Sequence, residues 1–260
     1  MTYLDQLLSL RAAAIERRKA EVPLERLRDA ARGRLDVRDF AGALRSGVPA
    51  IVAEFKRASP SAGTIAASAD PAEVAAAYER GGAAAISVLT EPDRFNGGFD
   101  DLRAARGAAT LPTLCKDFIV DAYQVWEAAA KGADAVLLIV AALDQPSLKH
   151  LLTLTNSLGI AALVEIHDAE EAARALDAGA ALVGINNRNL RSFEIDVETA
   201  LRLRSRLPEN MTVVAESGYT RADQIAACAR AGIDAVLVGE TLMRDGDPAS
   251  AVARLRGALP

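Results

Sequence analysis

A (β/α)8 barrel is the fold class that this sequence predicts, and three observations carry the prediction. Eight short apolar runs have the length of buried parallel strands. Amphipathic segments separate them, and the spacing from one run to the next is roughly 20 to 35 residues, as in repeated βαβ units. Four runs follow an Ala-rich stretch that ends in a glycine, a residue suited to a helix C-terminus. These glycines are Gly82, Gly132, Gly179 and Gly232.

The chain begins with a segment that lies outside this repeat. Apolar residues recur there at helical spacing, at Leu4, Leu7, Leu8, Ile15, Leu24 and Leu27. We therefore expect one or two extra helices ahead of the barrel, which cover its bottom or shape its mouth.

The elements of the barrel follow in order. Strands are predicted at residues 50–56, 84–89, 113–118, 135–140, 162–166, 182–186, 213–216 and 236–239. Amphipathic helices are predicted at 71–80, 122–131, 169–178, 196–207 and 221–231. A doubly wound open sheet is the alternative, but no Gly-x-Gly-x-x-Gly follows the first strand. Because no Pro/Gly/Ser-rich linker divides the chain, we expect one domain over 1–260, with a helical extension over 1–49 and the barrel over 50–260.

Composition excludes several classes of protein. The chain is 51% hydrophobic and only 4% aromatic, which suits a core of small branched side chains. The net charge of −5 argues against a nucleic-acid partner. Cys115 and Cys228 make no disulfide framework and no metal-ligand cluster, so free thiols in the cytoplasm are expected and no metal site. Neither a signal peptide nor an apolar run of about 18 residues is present, so no membrane association is expected.

Charged side chains end the first predicted strand. Glu54 and Lys56 follow an apolar run and point to the same side, because side chains alternate along a strand. A loop with Ser59, Pro60 and Ser61 comes next. A structural ion pair at a strand terminus is the alternative interpretation.

Polar residues recur at the ends of other predicted strands, and barrel active sites lie at that end. Together with Lys56 and Glu54, these residues place three cations and three carboxylates at the carboxyl ends of the strands. The added residues are Lys116, Glu165, Asn186, Arg188 and Glu216. A ring of structural ion pairs is the alternative, but each buried charge costs several kcal/mol unless compensated, so a mere scaffold would not need them.

The last two strands end in small residues that suit a phosphate. Ser217-Gly218 and Gly239-Glu240 stand where a strand turns into a helix, and backbone N–H groups there can approach an anion. Many barrels bind phosphate after strands seven and eight. Taken singly, each glycine also suits a tight turn.

Eight motifs together resemble the indole-3-glycerol phosphate synthase family of the tryptophan pathway. They are AEFKRASPS at 53–61, SVLTE at 87–91, FNGG at 95–98, CKDFIV at 115–120, VEIH at 164–167, GINNRNL at 184–190, AESG at 215–218 and VGETLM at 238–243. The resemblance covers nearly the whole chain. The Ser-Pro-Ser loop and the Lys-Asp-Phe-Ile block are specific, whereas the last Gly-Glu is not. The departures, Arg57, Ala62 and Tyr219, do not fall on positions the family uses for catalysis.

The resemblance implies a substrate and a division of labour. The substrate would be 1-(2-carboxyphenylamino)-1-deoxyribulose 5-phosphate, whose ring closure, decarboxylation and dehydration need no cofactor. Lys116 would be the general acid, and partial desolvation is expected to help it give up its proton. Glu165 would be the general base. Lys56 would hold the substrate carboxylate or phosphate and act in dehydration, with Glu54 orienting it.

The same resemblance implies the binding residues. Asn186 and Arg188 would position the ring-bearing end, Glu216 would add an acidic contact, and Phe95 and Phe118 would enclose the anthranilate ring. The phosphate would lie on Ser59 and on the backbone of Ser217, Gly218, Gly239 and Glu240.

Two other functions remain open at this point. One is an isomerase acting on an aminated ribulose phosphate, and the other is a non-catalytic phosphosugar-binding barrel. We expect the small substrate to be the partner of the protein, which would be a monomer or a weak dimer. Of the remaining conspicuous residues, Trp126 is expected to pack in the core, His150 to be exposed and His167 to lie in a loop. Cys115 is expected to point away from the barrel axis.

Overall fold

The computed structural model describes residues 3–45, 49–190 and 192–257. Its strands are β1 (Ala50–Phe55), β2 (Ala58–Ser59), β3 (Gly63–Thr64), β4 (Ala85–Leu89), β5 (Thr113–Lys116), β6 (Ala135–Ile139), β7 (Ala161–Ile166), β8 (Leu182–Asn186), β9 (Thr212–Glu216) and β10 (Ala235–Val238). Eight of them form a closed parallel barrel in the order β1-β10-β9-β8-β7-β6-β5-β4. The predicted (β/α)8 barrel is therefore confirmed, and β2 and β3 form a separate antiparallel hairpin.

Helices surround the barrel and precede it. They are α1 (Tyr3–Glu21), α2 (Leu24–Arg32), α3 (Phe40–Ala43), α4 (Pro71–Arg80), α5 (Pro92–Phe95), α6 (Phe99–Ala108), α7 (Ala122–Ala130), α8 (Gln145–Ser157), α9 (Ala169–Asp177), α10 (Glu198–Arg204), α11 (Ala222–Arg230), α12 (Glu240–Met243) and α13 (Pro248–Arg256). A 3-10 turn covers Val140–Ala142. No helix within the described ranges is long and apolar enough to cross a membrane.

The helical extension ahead of the barrel is present, with three helices among its described residues, α1 to α3, rather than the expected one or two, and it contacts both ends of the barrel. At the bottom, Phe40 and Leu44 are buried with the first residues of the strands, such as Ala50 and Ala135. At the mouth, α1 is anchored by the buried Arg11, whose Nη2 lies 2.5 Å from Asp117 Oδ2. Residues 1, 2 and 46–48 of the predicted extension lie outside the described residues.

Alternation along the strands sorts the barrel interior into apolar and charged layers. Val52, Leu114, Leu163 and Val214 belong to an inner apolar cluster. Two residues further along each of these strands stand charged residues, namely Glu54, Lys116, Glu165 and Glu216. A larger apolar cluster lies between the outer faces of the strands and the helices. Apolar side chains therefore fill the lower part of the barrel interior, and the charged side chains lie at the carboxyl ends of the strands.

Predicted boundaries differ from the observed ones at a few strand ends. The third barrel strand, β5, ends at Lys116 rather than at residue 118. Asp117 accepts a hydrogen bond from the Phe118 amide (2.7 Å), so the chain leaves the ladder there. The helix predicted at 196–207 is shorter and spans Glu198–Arg204.

Asp134 fastens the extension to the bottom of the barrel. Its Oδ1 accepts hydrogen bonds from Arg34 Nη2 (3.2 Å), the Arg38 amide (3.0 Å) and Arg106 Nη2 (3.1 Å). Its Oδ2 accepts from the amide (2.9 Å) and the hydroxyl (3.1 Å) of Thr113. A fully buried carboxylate with both oxygens occupied is a stable arrangement.

Candidate active site

A cavity of about 900 Å³ opens where the barrel strands end. Every side chain or turn predicted for the site contributes to its wall. These residues are Glu54, Lys56, Ser59, Phe95, Lys116, Phe118, Glu165, Asn186, Arg188, Glu216, Ser217, Gly218, Gly239 and Glu240. The cavity is large enough for a phosphosugar joined to an aromatic ring.

Lys116 lies between two carboxylates from other strands. Its Nζ is 2.7 Å from Glu216 Oε2 and 3.4 Å from Glu165 Oε2. Glu216 and Glu165 have side chains only 1% and 3% exposed, so solvent does not screen the three charges. This contact across the barrel joins β5, β7 and β9, and it depends on barrel closure.

Lys116, Glu165 and Glu216 form a charged triad, and its electrostatics correct the expectation about the pKa of Lys116. Burial opposes the charge on Lys116, but Glu216 and Glu165 outweigh it, so its pKa is raised. Desolvation acts in the expected direction, but the expected net fall of this pKa is wrong, because two carboxylates flank the ammonium and outweigh desolvation. The carboxylates of Glu216 and Glu165 therefore favour the charged form of Lys116.

The two carboxylates themselves differ. Burial disfavours the ionised form of Glu165, but Lys116 and the imidazole of His167 outweigh it and lower its pKa. Burial, only partly offset by Lys116, raises the pKa of Glu216. One buried oxygen of Glu216, Oε1, has no hydrogen-bond partner within the described part of the chain. A proton shared by the pair therefore favours Glu216.

Two glycines make room for the buried charges. Lys56 Nζ lies 2.8 Å from Glu54 Oε1, as the strand alternation predicted. A Cβ at Gly239 would overlap that Glu54 oxygen and would lie 3.0 Å from Lys56 Nζ. Likewise, a Cβ at Gly184 would overlap Glu216 Oε1. Because these positions face inward beside a carboxylate, a glycine there serves close packing.

The turn after β9 is strained. Ser217 has φ 69° and Gly218 has φ 91°, and a non-glycine residue in that region costs about 1 kcal/mol or more. The Asn187 amide holds the turn by donating to the Ser217 carbonyl (2.9 Å) and to the Tyr219 hydroxyl (3.1 Å). Ser217 Oγ donates to Asn186 Oδ1 (2.8 Å). Sequence reasoning missed Asn187, although it lies inside one of the motifs.

Aromatic and aliphatic side chains form an apolar part of the cavity wall. The rings of Phe95 and Phe118 have centroids 6.3 Å apart at 42°. Glu91 sets the position of Phe95, because its buried carboxylate accepts hydrogen bonds from three amides at the start of α5. Leu4 and Leu7 of α1 also line the cavity. Their helical spacing predicted a helix that covers the bottom or shapes the mouth, and the structure places α1 at the mouth.

Some predicted binding residues engage local partners. Ser59 Oγ accepts a hydrogen bond from the Ala62 amide (3.1 Å) within the hairpin loop. Arg188 Nη1 donates to the Phe193 carbonyl (3.2 Å). The Glu240 carboxylate pairs with Arg244 Nε at 2.9 Å and is 38% exposed.

The structural residues lie where the sequence placed them. Trp126 is buried beneath the guanidinium groups of Arg28 and Arg32. His150 is exposed. Cys115 is buried outside the cavity beside Thr90 Oγ1 (3.2 Å), and burial raises its pKa to about 12.

His167 is the exception among these residues. It stands in the loop after β7, as predicted, but its ring lies 3.2 Å from Glu165 Oε1. The spacing of two residues from Glu165 was the available signal, since alternation sends both side chains the same way.

Solved structures similar to this chain confirm the fold. A 3-hexulose-6-phosphate synthase from Salmonella typhimurium superposes with a TM-score of 0.65 at 14% identity, over 80% of this chain and 97% of that one. A thiamine phosphate pyrophosphorylase from Pyrococcus furiosus gives a TM-score of 0.62 at 19% identity, over 83% and 96%. At these identities, the likeness concerns the fold alone.

Sequence comparison identifies the family. The family model described as indole-3-glycerol phosphate synthase matches residues 4–255. The protein of that name from Mycolicibacterium gilvum is 53% identical over 254 residues, 98% of this chain and 93% of that protein. The one from Kineococcus radiotolerans is 50% identical over 264 residues, 99% and 96%. The resemblance of the motifs is thereby confirmed, and the chain belongs to the indole-3-glycerol phosphate synthase family.

Proposed function

We propose that the mouth of the barrel converts 1-(2-carboxyphenylamino)-1-deoxyribulose 5-phosphate to indole-3-glycerol phosphate, the reaction of the family. The ring carbon that bears the carboxylate attacks the ketone, whose oxygen takes one proton. Carbon dioxide then leaves, and loss of water completes the indole ring. One observation carries the proposal: the Lys116 ammonium faces the cavity between the carboxylates of Glu165 and Glu216, contributed by two other strands.

Lys116 is the general acid in this proposal. Its carboxylate neighbours keep it protonated before substrate binds, so the acid is loaded at neutral pH. A raised pKa makes it a weak acid toward a neutral ketone. As negative charge develops on the ketone oxygen, the ammonium stabilises that charge and transfers its proton, which is an interaction made mainly in the transition state.

Glu165 is the general base, and its basicity depends on Lys116. While Lys116 is an ammonium 3.4 Å away, Glu165 holds a proton poorly. Once Lys116 has given its proton to the ketone oxygen, that positive charge is gone and the pKa of Glu165 rises. The acid step therefore prepares Glu165 to accept a proton in the dehydration. Glu216, whose pKa is raised, is the other carboxylate of the triad that can bind a proton.

The phosphate end of the substrate lies over the turns after β9 and β10. Ser217 and Gly218 expose backbone groups in an open, strained turn, and Gly239 leaves space beside Lys56. An ammonium next to a glycine at a strand-to-helix junction favours an anion. We assign Lys56 to this end, with Glu54 orienting it at 2.8 Å.

The anthranilate end lies toward Phe95 and Phe118, which supply an apolar wall for a planar ring. Asn186 and Arg188 border the cavity between this wall and the phosphate turns, and they hold the hydroxyls and the ring-bearing end. Leu4 and Leu7 close the apolar side from α1.

The test of the function is a single-turnover assay of the folded protein with that substrate, following indole fluorescence and released carbon dioxide. We expect one indole product and one carbon dioxide for each substrate consumed. Binding without turnover would indicate the non-catalytic phosphosugar-binding barrel. Turnover of an aminated ribulose phosphate to its isomer, without indole, would indicate the isomerase. Either result would overturn the proposal.

We further propose that the enzyme works as a monomer in the cytoplasm. Residues of one chain, from Leu4 to Asp245, line the cavity, which supports a site complete within a single subunit. Both cysteines are free and buried, which agrees with a reducing compartment. Sedimentation velocity at micromolar concentration tests the first point, and a species of twice the mass would contradict it.

A further inference from the structure

The imidazole of His167 lies between two carboxylates, one of which is in the proposed catalytic triad. His167 Nε2 is 3.2 Å from Glu165 Oε1, and Nδ1 is 2.9 Å from Glu171 Oε2. The same Glu171 oxygen accepts the His167 backbone N–H at 2.8 Å. The His167 side chain is 13% exposed, so both ion pairs are largely shielded from solvent.

We propose that His167 is a positioning residue, which as an imidazolium holds Glu165 ionised and in one orientation. The inference rests on the proposed role of Glu165 as the base. It adds a charge chain that runs from Glu171 through His167 and Glu165 to Lys116 and Glu216.

The geometry places a basic group beside each oxygen of Glu165. Lys116 Nζ donates to Oε2, whereas His167 Nε2 lies 3.2 Å from Oε1 without hydrogen-bond geometry and acts on that oxygen through its charge. Glu216 is equally buried but shares only Lys116, and its second oxygen lacks a partner in the described structure. The imidazole is therefore the feature that distinguishes the two carboxylates around one ammonium. It directs a shared proton to Glu216 and leaves Glu165 free to act as a base.

Glu171 keeps the imidazole charged. It stands in the first turn of α9, where its amide donates to the capping carboxylate of Asp168 (2.9 Å), so its position is set by the helix start. Burial opposes the charge on His167, but Glu165 and Glu171 outweigh it and raise its pKa to about 10. The groups that face Glu165 are Lys116, His167 and Asn186. Glu54 interacts electrostatically with both Lys116 and Glu216, and Glu165 and Glu216 also act on each other directly.

The charge on His167 can be measured without any activity assay. The chain has two histidines, so the signals of His167 can be assigned by their absence in His167→Gln. In a ¹⁵N-histidine NMR titration, we expect His167 to stay an imidazolium through pH 8. In Glu171→Gln, the pKa of His167 should fall by about 1 unit or more. Neutral imidazole at position 167 at pH 7 in the wild-type protein would overturn the proposal.

The consequence for Glu165 appears in the pH dependence of the reaction. His167→Gln removes the charge at Oε1, so the acidic limb of the kcat profile should move up by about 1 pH unit. At pH 7 Glu165 stays ionised in both proteins, so kcat and KM there should each stay within about twofold of the wild type, and the effect is confined to the acidic limb. His150→Gln should match the wild type in kcat and KM. A purely structural tie between β7 and α9 would lower stability without moving the limb, and an unmoved limb in folded His167→Gln would overturn the proposal.

A further variant separates this inference from the proposed function. If Glu165→Gln retained wild-type kcat, the role of Glu165 as base would fail. The NMR titration would still report whether the imidazolium forms. If His167→Gln did not fold, as judged by circular dichroism, Glu171→Gln would take its place in the pH profile, with a smaller upward movement of the acidic limb expected and an unmoved limb counting against the proposal.

Discussion

The two ends of the barrel both bury charge, but they satisfy it differently. At the bottom, the Asp134 carboxylate accepts hydrogen bonds on both oxygens from residues of the extension, α6 and β5. At the mouth, Glu54 Oε2 and Glu216 Oε1 are buried with no hydrogen-bond partner within the described residues. The ammonium of Lys116 forms ion pairs with two carboxylates, those of Glu165 and Glu216.

This difference separates stability from function. Saturated buried polar groups stabilise the structure, whereas unsatisfied ones lower stability and are retained where a ligand or a reaction uses them. The bottom is also sealed by apolar Phe40, while the mouth opens into a large cavity. Changes at the mouth should therefore affect turnover more than folding, and changes at the bottom the reverse.

The largest effect is expected from Lys116→Ala at the mouth. General acid catalysis contributes about 10²–10⁴-fold, and electrostatic stabilisation by the same ammonium adds to it, so kcat should fall by at least about 10²-fold. KM should stay within about tenfold, because the phosphate end supplies most of the affinity. Single-turnover kinetics measure both.

Lys149→Ala is the matched control for this variant, since Lys149 is half exposed and pairs only with Asp177 among the ion pairs seen. Its kcat should equal that of the wild type. A Lys116→Ala protein that kept more than about a tenth of wild-type kcat would remove Lys116 from the acid role.

Asp134→Ala tests the bottom of the barrel. Removing one side of a buried ion-pair network leaves the other partners uncompensated, so the free energy of unfolding should fall by about 3 kcal/mol. Urea denaturation measures this loss, and kcat of the folded fraction should be unchanged. A fall in kcat comparable to that of Lys116→Ala would contradict the separation of the two ends.

Gly239→Ala probes the tight packing beside Glu54 and Lys56. The new Cβ would overlap the Glu54 carboxylate, and overpacking costs about 1–3 kcal/mol. We expect KM to rise at least about tenfold as the lysine and the phosphate site are displaced. Gly107→Ala is the control, because nothing lies within 4 Å of a Cβ there. Unchanged KM in Gly239→Ala would remove the phosphate from this turn.

The smallest effect is expected from Glu216→Gln, which should raise the stability of the protein and lower its kcat. Burial raises the pKa of Glu216 above its ordinary 4.5, so the folded state binds more protons than the unfolded state and loses stability as pH rises above 4.5. The variant escapes this loss. Its melting temperature should therefore exceed that of the wild type by a few degrees, corresponding to about 1 kcal/mol, at pH 8 but not at pH 4. Calorimetry at the two pH values measures it, and a variant less stable than the wild type at pH 8 would be the contrary result.

Much of the mouth was predictable because strand alternation is a local property. Glu54 and Lys56 share a side of β1, and apolar residues two positions before Lys116, Glu165 and Glu216 show that these charges face the interior. Barrel topology then brings the carboxyl ends of the strands together. The end of β5 was less predictable, because the hydrogen bond between the Asp117 carboxylate and the Phe118 amide lies where the strand ladder stops.

The sequence by itself therefore determined the fold class, the family and the charged residues that end the barrel strands. Only the tertiary structure decided that Lys116 sits closer to Glu216 than to Glu165, that His167 reaches Glu165, and that Leu4 and Leu7 close the mouth. These contacts join residues far apart in the chain, except for Glu165 and His167, which are two residues apart. Their distances depend on barrel closure and side-chain packing, and the resulting order of pKa values depends on burial, which no local pattern encodes.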